Sequence, residues 1–129
     1  MAGSAANGNS LAVHGHISYL EIPCIDAPKS VAFYATLFHW KFRNPAATSP
    51  SFDDGTGQII GRLSPNRAPS REPGFLPYIY VTNIHDIIAK TPAAGGTILD
   101  PVRPEGDLLL ARLHDPAGNV VGIWQFAAT

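Results

Sequence analysis

The stretch D-P-A-G-N-V-V-G-I-W-Q, from Asp115 to Gln125, decides the reading of this chain because an earlier stretch echoes it. Asp54 to Leu63, D-G-T-G-Q-I-I-G-R-L, matches Asp54 with Asp115, Gly57 with Gly118 and Gly61 with Gly122. Gln58 also pairs with Asn119, and Ile59-Ile60 with Val120-Val121. In each copy an Asp and a Gly at turn positions precede a β-branched run, the pattern of a tight hairpin feeding a strand. The copies stand 61 residues apart, close to half of the 129-residue chain, so the sequence reads as two copies of one supersecondary unit.

Working outward, Ile17 to Cys24 has the content of a first strand, with Pro23 near its end. Asp26 is placed to cap a helix with Pro28 in its first turn, and Val31, Tyr34, Leu37 and Phe38 recur at helical spacing. The helix ends near His39. Trp40 to Arg43, Ser49 to Asp53 and Gln58 to Leu63 supply three further strands. The Pro- and Ser-rich run from Ser64 to Gly74 reads as a linker. After it, Leu76 to Val81 is a strand, and Asn83 caps a helix carrying Ile84, Ile87 and Ile88 that Gly95-Gly96 ends. Thr97 to Leu99 and Leu108 to Leu113 are strands separated by a turn at Pro101 to Gly106. The expected order is strand, helix, three strands, twice over: a flexible tail over 1–14, then one domain over 15–128. Within it, module one covers 15–63, the linker 64–74 and module two 75–126.

Nine basic and ten acidic residues give no basic field for phosphates, so a nucleic-acid partner is not expected. Met1 to Ser10 lacks the charged and apolar segments of a signal peptide or a membrane span, and a cytoplasmic protein without membrane contact is the expectation. The single cysteine, Cys24, excludes an internal disulfide; it reads as a buried inert thiol, with a nucleophile as the alternative.

Two segments resemble a known superfamily: E-I-P-C-I-D-A-P-K-S-V-A-F-Y-A-T-L-F-H-W-K-F at Glu21 to Phe42, and D-P-A-G-N-V-V-G-I-W-Q at Asp115 to Gln125. The resemblance is to the vicinal-oxygen-chelate fold of glyoxalase I, bleomycin-resistance proteins and extradiol dioxygenases, in its small glyoxalase-like branch, and covers about residues 16 to 126. It implies an α+β fold in which two tandem βαβββ modules form a curled mixed sheet around a concave pocket, with helices outside. Small members pair as dimers, so a homodimer is expected.

Metal-bearing members place one ligand on the first and one on the last strand of each module. Here those places fall on Tyr19, Gly61, Leu76 and Gly122, which cannot fill a divalent shell, so no metal and no cofactor is expected. His14 and His16 offer a clamp but read as solvated, and His85 reads as surface. Strand alternation from the ligand places turns Tyr19, Glu21, Tyr78, Tyr80, Val120, Trp124, Ile59 and Leu63 toward the cavity. On the strand before D-P-A-G, Leu110, Arg112 and His114 join them, unless its register is shifted by one.

The resemblance thus implies a cavity holding one carboxylate, Glu21, and one guanidinium, Arg112. One reading is an ion pair bracing two strands. Another makes Glu21 a general base with raised pKa, while Arg112 and the Tyr78 hydroxyl hold a developing oxyanion. That suits metal-free isomerisation, cyclisation or dehydration of a small hydrophobic carbonyl or aromatic metabolite. Tyr19, Tyr80, Leu110, His114, Trp124, Ile59 and Leu63 would bind it. The alternative is a non-catalytic binder of the bleomycin-resistance type, stacking a planar compound on Trp124 and the tyrosines; a third reading is an interaction module without a ligand.

Overall fold

The computed structural model describes residues 11–127. Within them the first module is β1 (Tyr19–Pro23), α1 (Ala27–Phe38), β2 (Lys41–Arg43), β3 (Ser51–Asp53) and β4 (Ile60–Ser64). The second is β5 (Tyr78–Tyr80), α2 (Ile84–Lys90), β6 (Thr97–Glu105), β7 (Leu108–His114) and β8 (Val120–Phe126). Each module folds its own four-stranded mixed sheet, in the orders β1-β4-β3-β2 and β5-β8-β7-β6. In both, the first strand runs parallel to the last, and the rest is an antiparallel meander. This is the tandem βαβββ arrangement expected from the two-fold echo. Residues 1–10 of the expected tail, and residue 128 of the expected domain, lie outside the described residues; Leu11 is buried.

Local chemistry sets the helix ends. The Asp26 carboxylate accepts from the Lys29 amide at the start of α1, and the Asn83 side chain accepts from the Asp86 amide at the start of α2. His39 closes α1 at φ 61°, donating its N–H back to the Ala35 and Tyr34 carbonyls.

One difference from the sequence reading concerns β6. A turn is expected at Pro101 to Gly106, yet the strand runs on to Glu105 and the turn is confined to Gly106 and Asp107. β6 is an edge strand with register shifts between Ile98 and Asp100 and between Asp100 and Arg103, where Pro101 needs no ladder hydrogen bond.

A single core joins the modules. Phe33, Tyr34 and Leu37 of α1, Trp40, and Phe52 of β3 pack with Ile84 and Ile87 of α2 and with Ala111, Leu113, Val121 and Ile123 of the second sheet. Tyr34, Trp40 and Phe52 form a continuous stack, with ring centroids 4.7 and 4.6 Å apart. The Phe33 ring lies so close to Gly96 that a Cβ there would come within 2.5 Å of it, so only glycine fits.

Across this seam the Tyr34 hydroxyl donates to the Asp115 carboxylate at 2.7 Å. The same carboxylate accepts from the Ala117 and Asn119 amides at 3.0 and 2.9 Å and from Asn119 Nδ2 at 2.8 Å. Asp115 is 3% exposed, so its charge is held by these donors rather than by bulk water. Burial, with the Asp115 charge beside it, pushes the Tyr34 phenol well above its ordinary range, which keeps the hydroxyl a donor.

Tyr34→Phe is expected to lower stability in urea unfolding by about 1–3 kcal/mol, because it removes a donor from a buried carboxylate. A change below about 0.5 kcal/mol would show that the bond contributes little.

Candidate functional site

The helices cover one face of the sheets. On the other face strand alternation sets out Tyr78 and Tyr80 from β5, Leu108, Leu110, Arg112 and His114 from β7, and Gly122, Trp124 and Phe126 from β8. The register pairs Tyr78 with Gly122, Tyr80 with Trp124, Leu110 with Trp124 and Arg112 with Gly122. The intervening residues Ile79, Leu109, Ala111, Leu113, Val121 and Ile123 belong to the core, which fixes the assignment.

Tyr78, Glu105, Leu108, Leu110 and Trp124 line an open depression of about 450 Å³. Tyr80 stands edge-on to Trp124 with centroids 5.0 Å apart, and Phe126 meets Trp124 at 5.1 Å, extending the aromatic surface at its rim. The Tyr78 ring lies against Gly122, where a Cβ would come within 2.4 Å of it; the missing side chain lets the ring lie down on the sheet. Glu105 is missing from the sequence reading, which puts a turn where β6 continues.

The first sheet departs from expectation in parity. The hairpin before β8 closes with the Asp115 N–H donating to the Asn119 carbonyl, whereas the one before β4 closes from Asp54 to Ile59, one residue longer. That extra residue shifts β4 by one and exchanges its faces. Gly61 therefore pairs with Leu20 and Phe52, which pack on the core side, while Ile60 and Arg62 share the open face with Tyr19 and Glu21. Leu63, expected in the cavity, is fully buried and shares the parity of Gly61; Ile59, also expected there, sits in the turn before β4.

The two charged residues expected in one cavity are not brought together. Arg112 is bound by the Asp100 carboxylate across the β6–β7 pair. Glu21 is half-buried on the other sheet, between Arg67 at 2.6 Å and Arg62 at 2.9 Å. Hydrogen bonds from Arg67 and then Arg62 hold its carboxyl below the ordinary value. The raised pKa expected of a general base is thus reversed, and neither a Glu21–Arg112 brace nor a shared oxyanion clamp is formed. His114 lies at the far end of β7, 3.3 Å from the Thr97 hydroxyl. Burial pushes the Cys24 thiol up, with Asp115 and Asp26 adding to the effect, so it lacks the thiolate character of a nucleophile.

The metal places implied by resemblance do not fit an ion. The longer first turn moves the β4 place from Gly61 to Arg62, so the set becomes Tyr19, Arg62, Leu76 and Gly122. A guanidinium, an alkyl chain and a bare glycine offer no shell to a divalent cation. Among the described residues no group of three or more His, Cys, Asp or Glu side chains converges.

Comparison with known proteins agrees with this architecture. A glyoxylase-like domain-containing protein of Didymella fabae is 30% identical over 122 residues, which cover 88% of this chain and 95% of that protein. CFP32 of Mycobacterium bovis, a glyoxylase by name, is 26% identical over 120 residues, and the chain spans 46% of its length. Among solved structures, a glyoxalase/bleomycin resistance protein/dioxygenase family enzyme from Burkholderia phytofirmans superposes with a TM-score of 0.69 at 19% identity, over 87% of this chain and 99% of that one. TnmS3, an antibiotic binding protein from Streptomyces, superposes with a TM-score of 0.67 at 17% identity, over 90% and 98%. No family model matches the sequence.

Because the folded state favours ionised Glu21, the stabilisation from its arginine pairs is fully present above the ordinary value near 4.5 and is lost as pH falls through the lower, folded value. Acid unfolding followed by circular dichroism is expected to show that dependence in the parent and a shallower one in Glu21→Gln. Superimposable acid limbs would contradict the pairing.

Proposed function

The chain belongs to the glyoxalase-like branch of the vicinal-oxygen-chelate superfamily, and on that premise we propose that it is a small-molecule binding protein whose second module takes up a bulky planar compound. The observation that carries this reading is the depression between Tyr78, Leu110 and Trp124, an apolar aromatic surface with Glu105 at its edge. Aromatic faces of this kind stack planar ligands through dispersion and ring quadrupoles while burying apolar area. That an antibiotic binding protein shares the fold supports the reading.

Acid–base catalysis by Glu21 is less well supported. It asks for a proton-hungry carboxylate beside the bound compound, whereas Glu21 stands on the other sheet with two arginines keeping it ionised. Arg112, already neutralised by Asp100, is poorly placed to hold an oxyanion beside it. In the proposed role Tyr78, Leu110 and Trp124 form the binding surface, Tyr80 supports the Trp124 ring, and Tyr19 and His114 have no part.

We also propose that the chain pairs with a second copy. Phe75, Ile17 and Ile25 are 96, 71 and 68% exposed, apolar area that a partner copy covering it would remove from water. Among the described residues no helix is long and apolar enough to cross a membrane.

Titration with a panel of planar polycyclic compounds, followed by tryptophan fluorescence, is expected to find micromolar ligands that Trp124→Ala weakens about tenfold or more and Glu21→Gln leaves within about threefold. Turnover abolished by Glu21→Gln with affinity intact would overturn the binding role in favour of catalysis. Light scattering at micromolar concentration is expected to give twice the 13.7 kDa of one chain, and a monomer would refute the pairing.

A further inference from the structure

A second depression, of about 300 Å³ and more enclosed than the first, opens on the first sheet between Tyr19, Arg43, Asn44, Ser51, Ile60 and Gly61. Its chemistry differs from that of the aromatic face. Pairing across the sheet sets Arg43 opposite Ser51, Ser51 opposite Arg62, and Arg62 opposite Glu21, so the four residues form one row on the open side. Adjacent strands lie about 4.8 Å apart, which places the backbones of the two arginines about 10 Å from each other with only a short hydroxyl between them.

The two guanidiniums are not equivalent. Arg62 gives Nε and Nη2 to Glu21, and Arg67 closes on the other oxygen of the same carboxylate. Arg43 has no such partner: among the described residues its side chain makes no ion pair or hydrogen bond, and the same holds for the Tyr19 hydroxyl, the Asn44 amide and the Ser51 hydroxyl. Four groups able to donate hydrogen bonds thus line one small hollow with no protein partner among the described residues. Ile60 supplies an apolar wall.

We propose that this hollow binds a small organic carboxylate. The Arg43 guanidinium takes the two carboxylate oxygens in parallel N–H···O bonds, the pairing its planar fork matches best. Ser51 and Asn44 donate to the remaining lone pairs, and the organic body lies against Ile60 and the Tyr19 ring. Arg43 is the guanidinium of the row that no carboxylate engages, and Ile60 and the Tyr19 ring offer an organic body the apolar contact that inorganic phosphate cannot use. The volume suits a ligand of about the size of benzoate. This site does not depend on the aromatic face of the second module.

Calorimetric titration with benzoate, benzamide and inorganic phosphate, each into the whole chain and its variants, tests the proposal. Benzoate is expected to bind more tightly than both others, by about tenfold over neutral benzamide, and to weaken as salt rises. Arg43→Ala is expected to weaken benzoate about tenfold or more while leaving benzamide unchanged, with Arg43→Lys in between and Trp124→Ala within about twofold of the parent. Arg43 is exposed on an edge strand, and unchanged circular dichroism checks that the variants fold. Absence of benzoate binding at about 10 mM, benzoate affinity indifferent to Arg43→Ala, loss of it in Trp124→Ala, or phosphate binding as tightly as benzoate would each overturn the proposal.

Discussion

The constraint on which the rest of this fold depends is the buried carboxylate of Asp115. A charge out of contact with water is costly unless its lone pairs are filled, and here a hydroxyl, two amides and a side-chain amide fill them. Those donors come from both halves of the chain. Tyr34 belongs to the helix of the first module, while Ala117 and Asn119 belong to the last turn of the second. Asn119 extends the network, donating to the Pro23 carbonyl at the end of β1 and accepting from the Ser70 amide in the linker. One anion therefore ties together a helix, a strand end, the linker and the hairpin that launches β8.

That hairpin has a further consequence. Its tight closure between Asp115 and Asn119 fixes which residues of β8 meet the core, and so turns Trp124 outward beside Tyr78 and Leu110. The first module uses the same Asp and Gly signals, with Gly57 and Gly118 both at positive φ, but closes its turn one residue later. A period-two element cannot absorb one residue without exchanging its faces. Arg62 consequently stands where a strict repeat would put Gly61, and Glu21 acquires a partner on its own sheet. The two open faces diverge in character as a result: one aromatic and largely apolar, the other lined with arginines.

Much of this was legible in the sequence. The Asp-Gly turns and the capping residues Asp26 and Asn83 are local signals, and local signals carried the element order. Tyr78, Leu110 and Trp124 do share one open face, and the sequence reached them only through alternation counted from the ligand places that the family resemblance supplies. The parity of β4 was not legible, because turn length depends on which backbone groups pair, and the matching letters of the two turns hide the extra residue. Nor were the partners of the charges: Arg67 arrives from the linker and Asp100 from an edge strand whose prolines read as a turn. Ion pairs across such distances are settled by tertiary packing, which strand alternation does not encode.

Function on this scaffold follows from what each open face offers, and the faces can be offered only while the two modules hold a fixed relation. The central claim is that Asp115 enforces that relation, and the two tryptophans report on it from different places, Trp40 beside α1 in the shared core and Trp124 on the open face of the second module. Fluorine NMR of fluorotryptophan-labelled protein through a urea titration is the most direct measurement. Coincident loss of both native resonances in the parent, and separate transitions in Asp115→Ala, are the predicted result. Resonances that remain coincident in Asp115→Ala, or that already separate in the parent, would contradict it.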